Sequence, residues 1–315
     1  MRPGVIPRAT LIAAALCVTA LGCSKESPPP PKVFDDPMGP IVKTVVPKPA
    51  GLPAKKGDGP VVSYFANGFA KVATAEDRLA GRSQLRFYNP MDADNEVRMV
   101  VYFDNRPPEE LIRFTLKPNN NDQMLTLPAG FPGFFDGSKA WGARIESTYP
   151  VLALNVLSAG VIAPNGDLWF GDPRYKGSNV GAHATRRLEK QWFFGDGLVL
   201  KGEKETETQR FNEYEWYHIL NPNPRDAEIE LQCYYPSGES DVFKFTVKAE
   251  RVRIFDNKEL VRPNVPHAVE CRSSEPVLIS ADRFIYDFKN TEDWGAWLHA
   301  NHEGIPGPEI TAGGH

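Results

Sequence analysis

The chain has 315 residues, of which 41% are hydrophobic and 24% charged, so a disordered chain is excluded and about two domains are expected. The formal net charge of −4 provides no positive field for phosphates, so nucleic acid is not an expected partner. The 29 prolines exceed the usual share, which predicts a linker, many tight turns, or both.

Residues 1–22 are predicted to be a lipoprotein signal peptide. Two arginines precede an apolar run of 13 residues that ends at Leu21, which is shorter than the ~20 residues needed to span a bilayer. Residues 20–24, Ala-Leu-Gly-Cys-Ser, resemble the bacterial lipobox, in which the cysteine is acylated. An ordinary signal peptide that ends near a cysteine is the alternative. We therefore expect lipidation at Cys23 and attachment to the bacterial cell envelope, at the outer membrane in a Gram-negative host, because no Asp follows the cysteine.

Residues 23–60 are predicted to form a proline-rich, disordered tether. Residues 24–60 carry ten of the 29 prolines and show no sustained alternation of apolar and polar residues. Removal of residues 1–22 deletes two arginines and lowers the formal net charge from −4 to −6. Because an acidic surface is not attracted to anionic lipid, the lipid on Cys23 would have to hold the protein at the membrane.

The rest of the chain contains an internal repeat, with a first unit at residues 61–163 and a second at residues 190–288. The clearest match is Asn89-Pro90 with Asn221-Pro222, which lie 132 residues apart. Four further segments match in the same order: Tyr64–Phe69 with Phe193–Leu198, Val97–Phe103 with Ile229–Tyr235, Phe114–Leu116 with Phe245–Val247, and Ser147–Leu152 with Ser273–Leu278. Residues 164–189 are predicted to be the linker between the units.

Each unit is predicted to be all-β. Ile229, Leu231 and Cys233 alternate with polar residues at the period of two that places one face of a strand on a core. Several short strands separated by Asn-Pro and Gly-containing turns favour two tandem antiparallel β-sandwich or jelly-roll-like domains.

Residues 289–315 are predicted to be a tail with a short helix that begins near Thr291. On such a helix His299 and His302 would share a face, but solvent-exposed histidines are the stronger interpretation, and we expect no metal.

The repeated motifs resemble those of the sensory rhodopsin transducer-like superfamily. Each unit has aromatic residues before Asp/Asn-Gly, a strand ending in Asn-Pro, a strand ending in two aromatics, and Ser-x-x-Pro-Val before a final strand. The resemblance implies small bacterial β-sandwich domains that bind small molecules, sugars among them, and that form oligomers. The first unit departs from the pattern, because Ser83 stands where the second has Glu215.

No nucleophile elbow, phosphate-binding loop or paired-histidine zinc motif is present, so we expect no enzyme, no catalytic residue and no cofactor. An aromatic face beside a carboxylate, an amide and a guanidinium suits a sugar or small polar ligand. The predicted ligand-binding residues are Trp192, Glu215, Trp216, His218, Asn221, His267, Asp282 and Arg283. Core packing for the tryptophans, a turn cap for Asn221 and an ion pair between Glu215 and Arg283 are the structural alternatives.

Two further features leave alternatives open. Cys233 and Cys271 fall on the apolar phase of their strands and would form either a disulfide or two buried thiols.

The predicted function is non-enzymatic binding of a small polar or carbohydrate ligand by a lipid-anchored envelope protein. The alternative is a structural or protein-interaction lipoprotein that forms a homo-oligomeric surface without a small-molecule site.

Overall fold

The structure, a computed structural model, describes residues 51–69, 79–127, 130–138, 140–161, 177–200, 211–257, 260–287 and 297–307. The predicted signal peptide, the lipidation site Cys23 and residues 23–50 of the predicted tether lie outside the described residues. Within the described part, no helix is long and apolar enough to cross a membrane.

The first sandwich consists of two antiparallel sheets, as the alternation predicted. Its strands are β1 (Val61–Phe69), β2 (Leu79–Asn89), β3 (Asn95–Phe103), β4 (Glu109–Leu116), β5 (Asn120–Leu127), β6 (Ala140–Ser147), β7 (Leu152–Val161) and β8 (Gly177–His183). We call the sheet β1-β6-β3-β4 the front sheet and the sheet β5-β2-β7-β8 the back sheet. Both sheets contribute to one buried core that includes Phe65, Leu85, Met99 and Trp141.

The second sandwich repeats this arrangement. Its strands are β9 (Glu189–Gly197), β10 (Phe211–Asn221), β11 (Ala227–Tyr234), β12 (Ser240–Val247), β13 (Arg251–Asp256), β14 (His267–Asp287), β15 (Trp297–Glu303) and β16 (Ile305–Pro306). The 21-residue β14 occupies the positions that β6 and β7 occupy in the first sandwich. Its first half pairs with β9 and β11, and its second half pairs with β10 and β15. The front sheet is therefore β9-β14-β11-β12 and the back sheet β13-β10-β14-β15.

The strand pairing extends the repeat beyond the predicted domain boundaries. The predicted linker 164–189 contains β8, which pairs with β7 as β15 pairs with β14. The predicted helical tail is wrong for residues 297–303, which form the strand β15. The helix-face argument for His299 and His302 therefore does not apply, and among the described residues there is no cluster of three metal-ligating side chains.

The predicted tether is also shorter than expected at its C-terminal end. Leu52 pairs with Met91, and its amide N–H donates to the Pro90 carbonyl at 2.8 Å. The Ala54 N–H donates to the Asp92 carboxylate at 2.7 Å. These contacts join residues 52–54 of the predicted tether to the first sandwich.

The two sandwiches pack against each other within one compact unit of residues 48–315. Tyr102 and Val100, on the outer face of the first front sheet, share a buried cluster with Leu220 and Val252, on the outer face of the second back sheet. The approach is close, because a Cβ atom added to Gly142 of β6 would lie 3.1 Å from Leu220. The contact therefore joins the front of one copy to the back of the other.

Candidate functional site

The centre of the candidate site is the carboxylate of Glu215, on β10 of the second sandwich. Only 3% of this residue is exposed. Its carboxylate accepts hydrogen bonds from the Leu198 N–H at 2.9 Å and from the Tyr217 hydroxyl at 3.0 Å. It accepts two more from Asn257 Nδ2 at 2.9 Å and Arg283 Nη2 at 3.2 Å. A buried carboxylate is tolerated only when it is paired in this way.

His267 and Arg283 extend the network around Glu215 towards the end of β9. His267 Nε2 lies 3.4 Å from the Glu215 carboxylate, and Arg283 Nη2 lies 3.6 Å from the carboxylate of Asp196. The backbone of Gly197 makes room for His267, since a Cβ atom there would lie 2.5 Å from the imidazole ring. The Gly-Asp-Gly segment at the end of β9 thus supplies both a charged partner and the space for the histidine.

The environment keeps Glu215 ionised at neutral pH. Burial alone would raise the pKa of Glu215, but the contact with His267, the Leu198 N–H and the positive charge of Arg283 together lower it below its usual value. The neighbouring phenol responds in the opposite direction, because burial and the Glu215 charge raise the pKa of Tyr217 well above normal. The site therefore presents a fixed carboxylate that orients the guanidinium of Arg283.

An open pocket of about 300 Å³ lies above this network, a size at the lower end of small-molecule sites. The lining residues come from the ends of β9 and β11, the start of β14, and Arg283: Gly195, Asp196, Gly197, Leu198, Tyr234, Pro236, Pro266, His267, Ala268 and Arg283. Of the eight predicted ligand-binding residues, His267 and Arg283 line the pocket, and Glu215 supports both from below.

Residues 188–292 match the family described as Anabaena sensory rhodopsin transducer. The C-terminal half of the chain therefore contains a region similar to this family, and we call residues 188–292 the transducer domain after that match. Two solved structures are similar to parts of the chain. The crystal structure of Thermotoga maritima 1070 is 18% identical, covers 38% of this chain and 94% of its own, and has a TM-score of 0.31. The Anabaena sensory rhodopsin transducer is 22% identical, covers 30% of this chain and 85% of its own, and has a TM-score of 0.27. No curated protein matches the chain.

Three predicted ligand-binding residues of the transducer domain lie away from the pocket. His218 and Asp282 are both 0% exposed and form a pair, with His218 Nε2 2.8 Å from the Asp282 carboxylate. Trp216 is the strand neighbour of Asp282. Side chains alternate along a strand, so these residues lie on the opposite face of the back sheet from Glu215. The prediction that they share a site with Glu215 is wrong for this reason.

Two other predicted ligand-binding residues of the transducer domain have structural roles. Trp192 is buried, and its indole N–H donates to the Val277 carbonyl at 2.9 Å. Asn221 is also buried, and its amide donates to the carbonyls of Arg225, Val247 and Lys248 at 2.8 to 3.2 Å. Neither residue lines the pocket, so the structural alternatives hold for both.

The Asn-Pro turn of the first sandwich has the same construction as that of the transducer domain. The amide of Asn89 donates to the carbonyls of Ala93, Leu116 and Lys117 at 2.8 to 3.3 Å. Its side-chain oxygen accepts the Met91 N–H at 3.1 Å, as that of Asn221 accepts an N–H two residues further along. The repeated asparagine thus ties a turn to the adjacent strand connection.

The first sandwich carries an uncharged set at the positions of the candidate site. Strand pairing shows which positions are equivalent. Ser83 pairs with Leu157 in the first sandwich, and Glu215 pairs with Arg283 in the second. Likewise, Gly68 pairs with Trp141 in the first sandwich, and Gly197 pairs with His267 in the second. Among the described residues the hydroxyl of Ser83 has no hydrogen-bond partner. The equivalent pairs are Asn67 and Asp196, Ser83 and Glu215, Trp141 and His267, and Leu157 and Arg283. The charged network therefore belongs to the transducer domain alone.

Cys233 and Cys271 of the transducer domain are two buried free thiols, the second of the alternatives left open by the sequence. Cys233 is paired with Val269, and Cys271 with Leu231, so the two cysteines are diagonal neighbours on adjacent strands. Diagonal neighbours lie too far apart for unstrained disulfide geometry. Burial raises the pKa of Cys233 to about 12, so this thiol is chemically inert.

The functional residues that sequence reasoning missed are Asp196, Tyr234 and Asn257. Asp196 stands in the repeated Asn/Asp-Gly motif, and Tyr234 in the repeated aromatic pair, so both had a signal in the sequence. Asn257 follows β13 and both donates to the carboxylate and accepts the N–H of Glu215. No repeated motif marked this residue, because its role depends on a contact across 42 residues.

Proposed function

We propose that the chain is a lipid-anchored protein of the bacterial cell envelope whose transducer domain binds a small polar or carbohydrate ligand without chemical turnover. The observation that carries the proposal is the pocket above Glu215, which is lined by His267 and Arg283, both of which contact the buried carboxylate of Glu215. Fixed polar groups of this kind orient a ligand with little loss of side-chain entropy.

The composition of the pocket wall supports a polar ligand with an apolar face, such as a sugar. Asp196 and Arg283 supply a carboxylate and a guanidinium for hydrogen bonds to hydroxyl groups. Tyr234 is 39% exposed and supplies an aromatic surface beside them. The Tyr234 hydroxyl donates to Glu270 at 2.5 Å, which holds the ring in place.

The test exchanges the charged pair for the residues that the same fold carries in its other copy. The double variant Glu215→Ser with Arg283→Leu gives the second sandwich the Ser83 and Leu157 of the first. Wild type and variant are screened by thermal shift against monosaccharides, oligosaccharides and small polar metabolites, and hits are measured by calorimetry. We expect at least tenfold weaker binding in the variant and unchanged binding in the matched control Ser83→Ala. Equal affinity of the double variant and wild type would contradict the proposal, as would the absence of any hit.

The anchor is tested separately. Lipidation of Cys23 predicts that the mature N-terminal peptide carries acyl groups and that the Cys23→Ala variant leaves the membrane fraction. An unmodified mature N-terminus in wild type would remove the anchor and leave the ligand site as a separate question. The alternative function, a surface for protein interaction, has one observation in its favour: Leu152 is 61% exposed, and Leu154 and Val156 lie half-buried on the same face of β7.

A further inference from the structure

The packing of the two sandwiches creates a second pocket, separate from the candidate site, which we call the junction pocket. It has a volume of about 380 Å³ and lies where β13, the outermost strand of the second back sheet, meets the first sandwich. The first sandwich supplies Asp104 and Ala140 to its wall, and the second supplies Thr246, Lys248 and residues 251–254 of β13. Both sandwiches are therefore needed to form this pocket.

Two arginines of β13, Arg251 and Arg253, line the junction pocket, and we call them the arginine pair. Side chains alternate along a strand, so both project from the same side of β13, about 7 Å apart. Arg251 Nη1 donates to the carbonyls of Glu250 at 2.9 Å and Ala249 at 3.4 Å. Arg253 Nη1 donates to the Thr246 carbonyl at 2.8 Å. A guanidinium has five N–H donors, so each arginine retains donors for a ligand.

The arginine pair differs from the neighbouring cations because it lacks carboxylate partners. Lys248 Nζ lies 2.8 Å from the carboxylate of Asp226, and Arg283 Nη2 of the candidate site lies 3.2 Å from that of Glu215. Within the part of the chain that the structure describes, no carboxylate lies at ion-pair distance from either member of the arginine pair. Two like charges on one side of a strand repel each other, so an anion bound between them would stabilise both.

The first copy of the fold carries uncharged residues at the positions of the arginine pair. Strand pairing gives the equivalent positions as Asn120 and Arg251, and Gln123 and Arg253. In each copy the first of these residues pairs with the repeated asparagine of the Asn-Pro turn. The two positive charges are therefore a feature of the copy whose β13 forms the junction pocket, and the fold itself does not require them.

We propose that the junction pocket binds a phosphate monoester of a small organic molecule. A phosphate monoester carries a charge of about −1.5 to −2 at pH 7, which the two guanidiniums match, and its oxygens accept the paired N–H donors of an arginine. Ala140, Val252 and Ile254 provide an apolar wall for the organic part. Asp104, on the side of the first sandwich, repels the phosphate and so favours its position at the arginine pair.

The test replaces the arginine pair by the residues of the first copy, in the double variant Arg251→Asn with Arg253→Gln. The matched control, Lys55→Gln with Lys56→Gln, removes two positive charges at exposed positions outside the pocket. All proteins are full chains that also carry Cys23→Ala, so that no acyl group holds them on a lipid surface. Folding of each is checked by circular dichroism and urea unfolding.

Two probes present the same phosphate group from different sources. Glucose 6-phosphate is a soluble monoester and is titrated by calorimetry at low salt, with glucose as the uncharged comparison. Phosphatidic acid is a monoester at a lipid surface, and its binding is measured by flotation with phosphatidylcholine vesicles that contain it or lack it. Binding of glucose 6-phosphate would assign the site to a soluble ester, and binding of the phosphatidic acid vesicles alone would assign it to a lipid headgroup.

The double variant is expected to bind the phosphate probe at least tenfold more weakly than its parent, and the lysine control is expected to bind it unchanged. Glucose should bind all three proteins equally, whatever its affinity for the pocket above Glu215, so the result does not depend on the candidate site. If the double variant does not fold, Arg253→Gln at its exposed position replaces it, with an expected loss of at least threefold. The proposal is wrong if neither probe binds the parent, if the variant binds as the parent does, or if the lysine control loses as much.

Discussion

Replacement of Glu215 by alanine is expected to destabilise the second sandwich by about 3 to 5 kcal/mol. The change removes the acceptor for the Leu198 N–H, the Tyr217 hydroxyl and the Asn257 amide, and it leaves Arg283 without its buried partner. Each buried donor left unpaired costs about 1 to 3 kcal/mol, and the total falls below the sum because water can enter the space that the side chain vacates. A loss of this size is a large fraction of the 5 to 15 kcal/mol that usually separates a folded domain from its unfolded state.

The matched control is Ser83→Ala in the first sandwich. Ser83 occupies the equivalent position and is fully buried, but its hydroxyl has no hydrogen-bond partner among the described residues. Its removal is therefore expected to change stability by less than about 1 kcal/mol. Both variants are measured by urea unfolding with tryptophan fluorescence and far-ultraviolet circular dichroism. A difference of less than about 1 kcal/mol between the two variants would refute the argument that the network around Glu215 stabilises the fold.

Two other predictions follow from the repeat and from the charge of the site. Asn89→Ala and Asn221→Ala should each lower the free energy of unfolding in urea by about 2 to 3 kcal/mol, because each asparagine donates to three carbonyls. If the two losses differ by more than the width of this range, the two turns are not equivalent. The pKa of Glu215 is lowered from 4.5 on folding, so its charge contributes stability above about pH 4.5 that is lost as the pH falls through the folded-state pKa. The Glu215→Gln variant should therefore lose less stability than wild type as the pH falls. An unchanged loss would show that other carboxylates cause it.

Much of the fold could be predicted from the sequence because the evidence for it is local. The alternation of Ile229, Leu231 and Cys233 with polar residues predicted a half-buried strand, and these residues are buried on β11. The strand β8 escaped prediction although it pairs with the strand before it, because residues 177–183 carry no strong alternation of their own. The helix predicted for the tail failed because pairing with β14 outweighed the local helical signals.

The candidate site was predicted in part, and the errors have a common physical cause. The sequence identified Glu215, His267 and Arg283, which meet at the pocket, but it grouped them with His218 and Asp282. Adjacent positions on a strand point to opposite faces, so Asp282 and Arg283 belong to different environments although they are consecutive. The pairing of β10 with β14 decides which of these residues share a face with Glu215.

The sequence by itself determined that the chain holds two copies of one β-fold, which residues of β11 face a core, and that the turns at Asn89 and Asn221 are equivalent. These properties depend on the period of the strand and on short-range turn chemistry, which every copy of the motif expresses in the same way. Only the tertiary structure decided that the front of the first sandwich is covered by the back of the second. An outward-facing residue such as Tyr102 or Tyr234 has the same local pattern in both copies, and its burial depends on which surface packs against it.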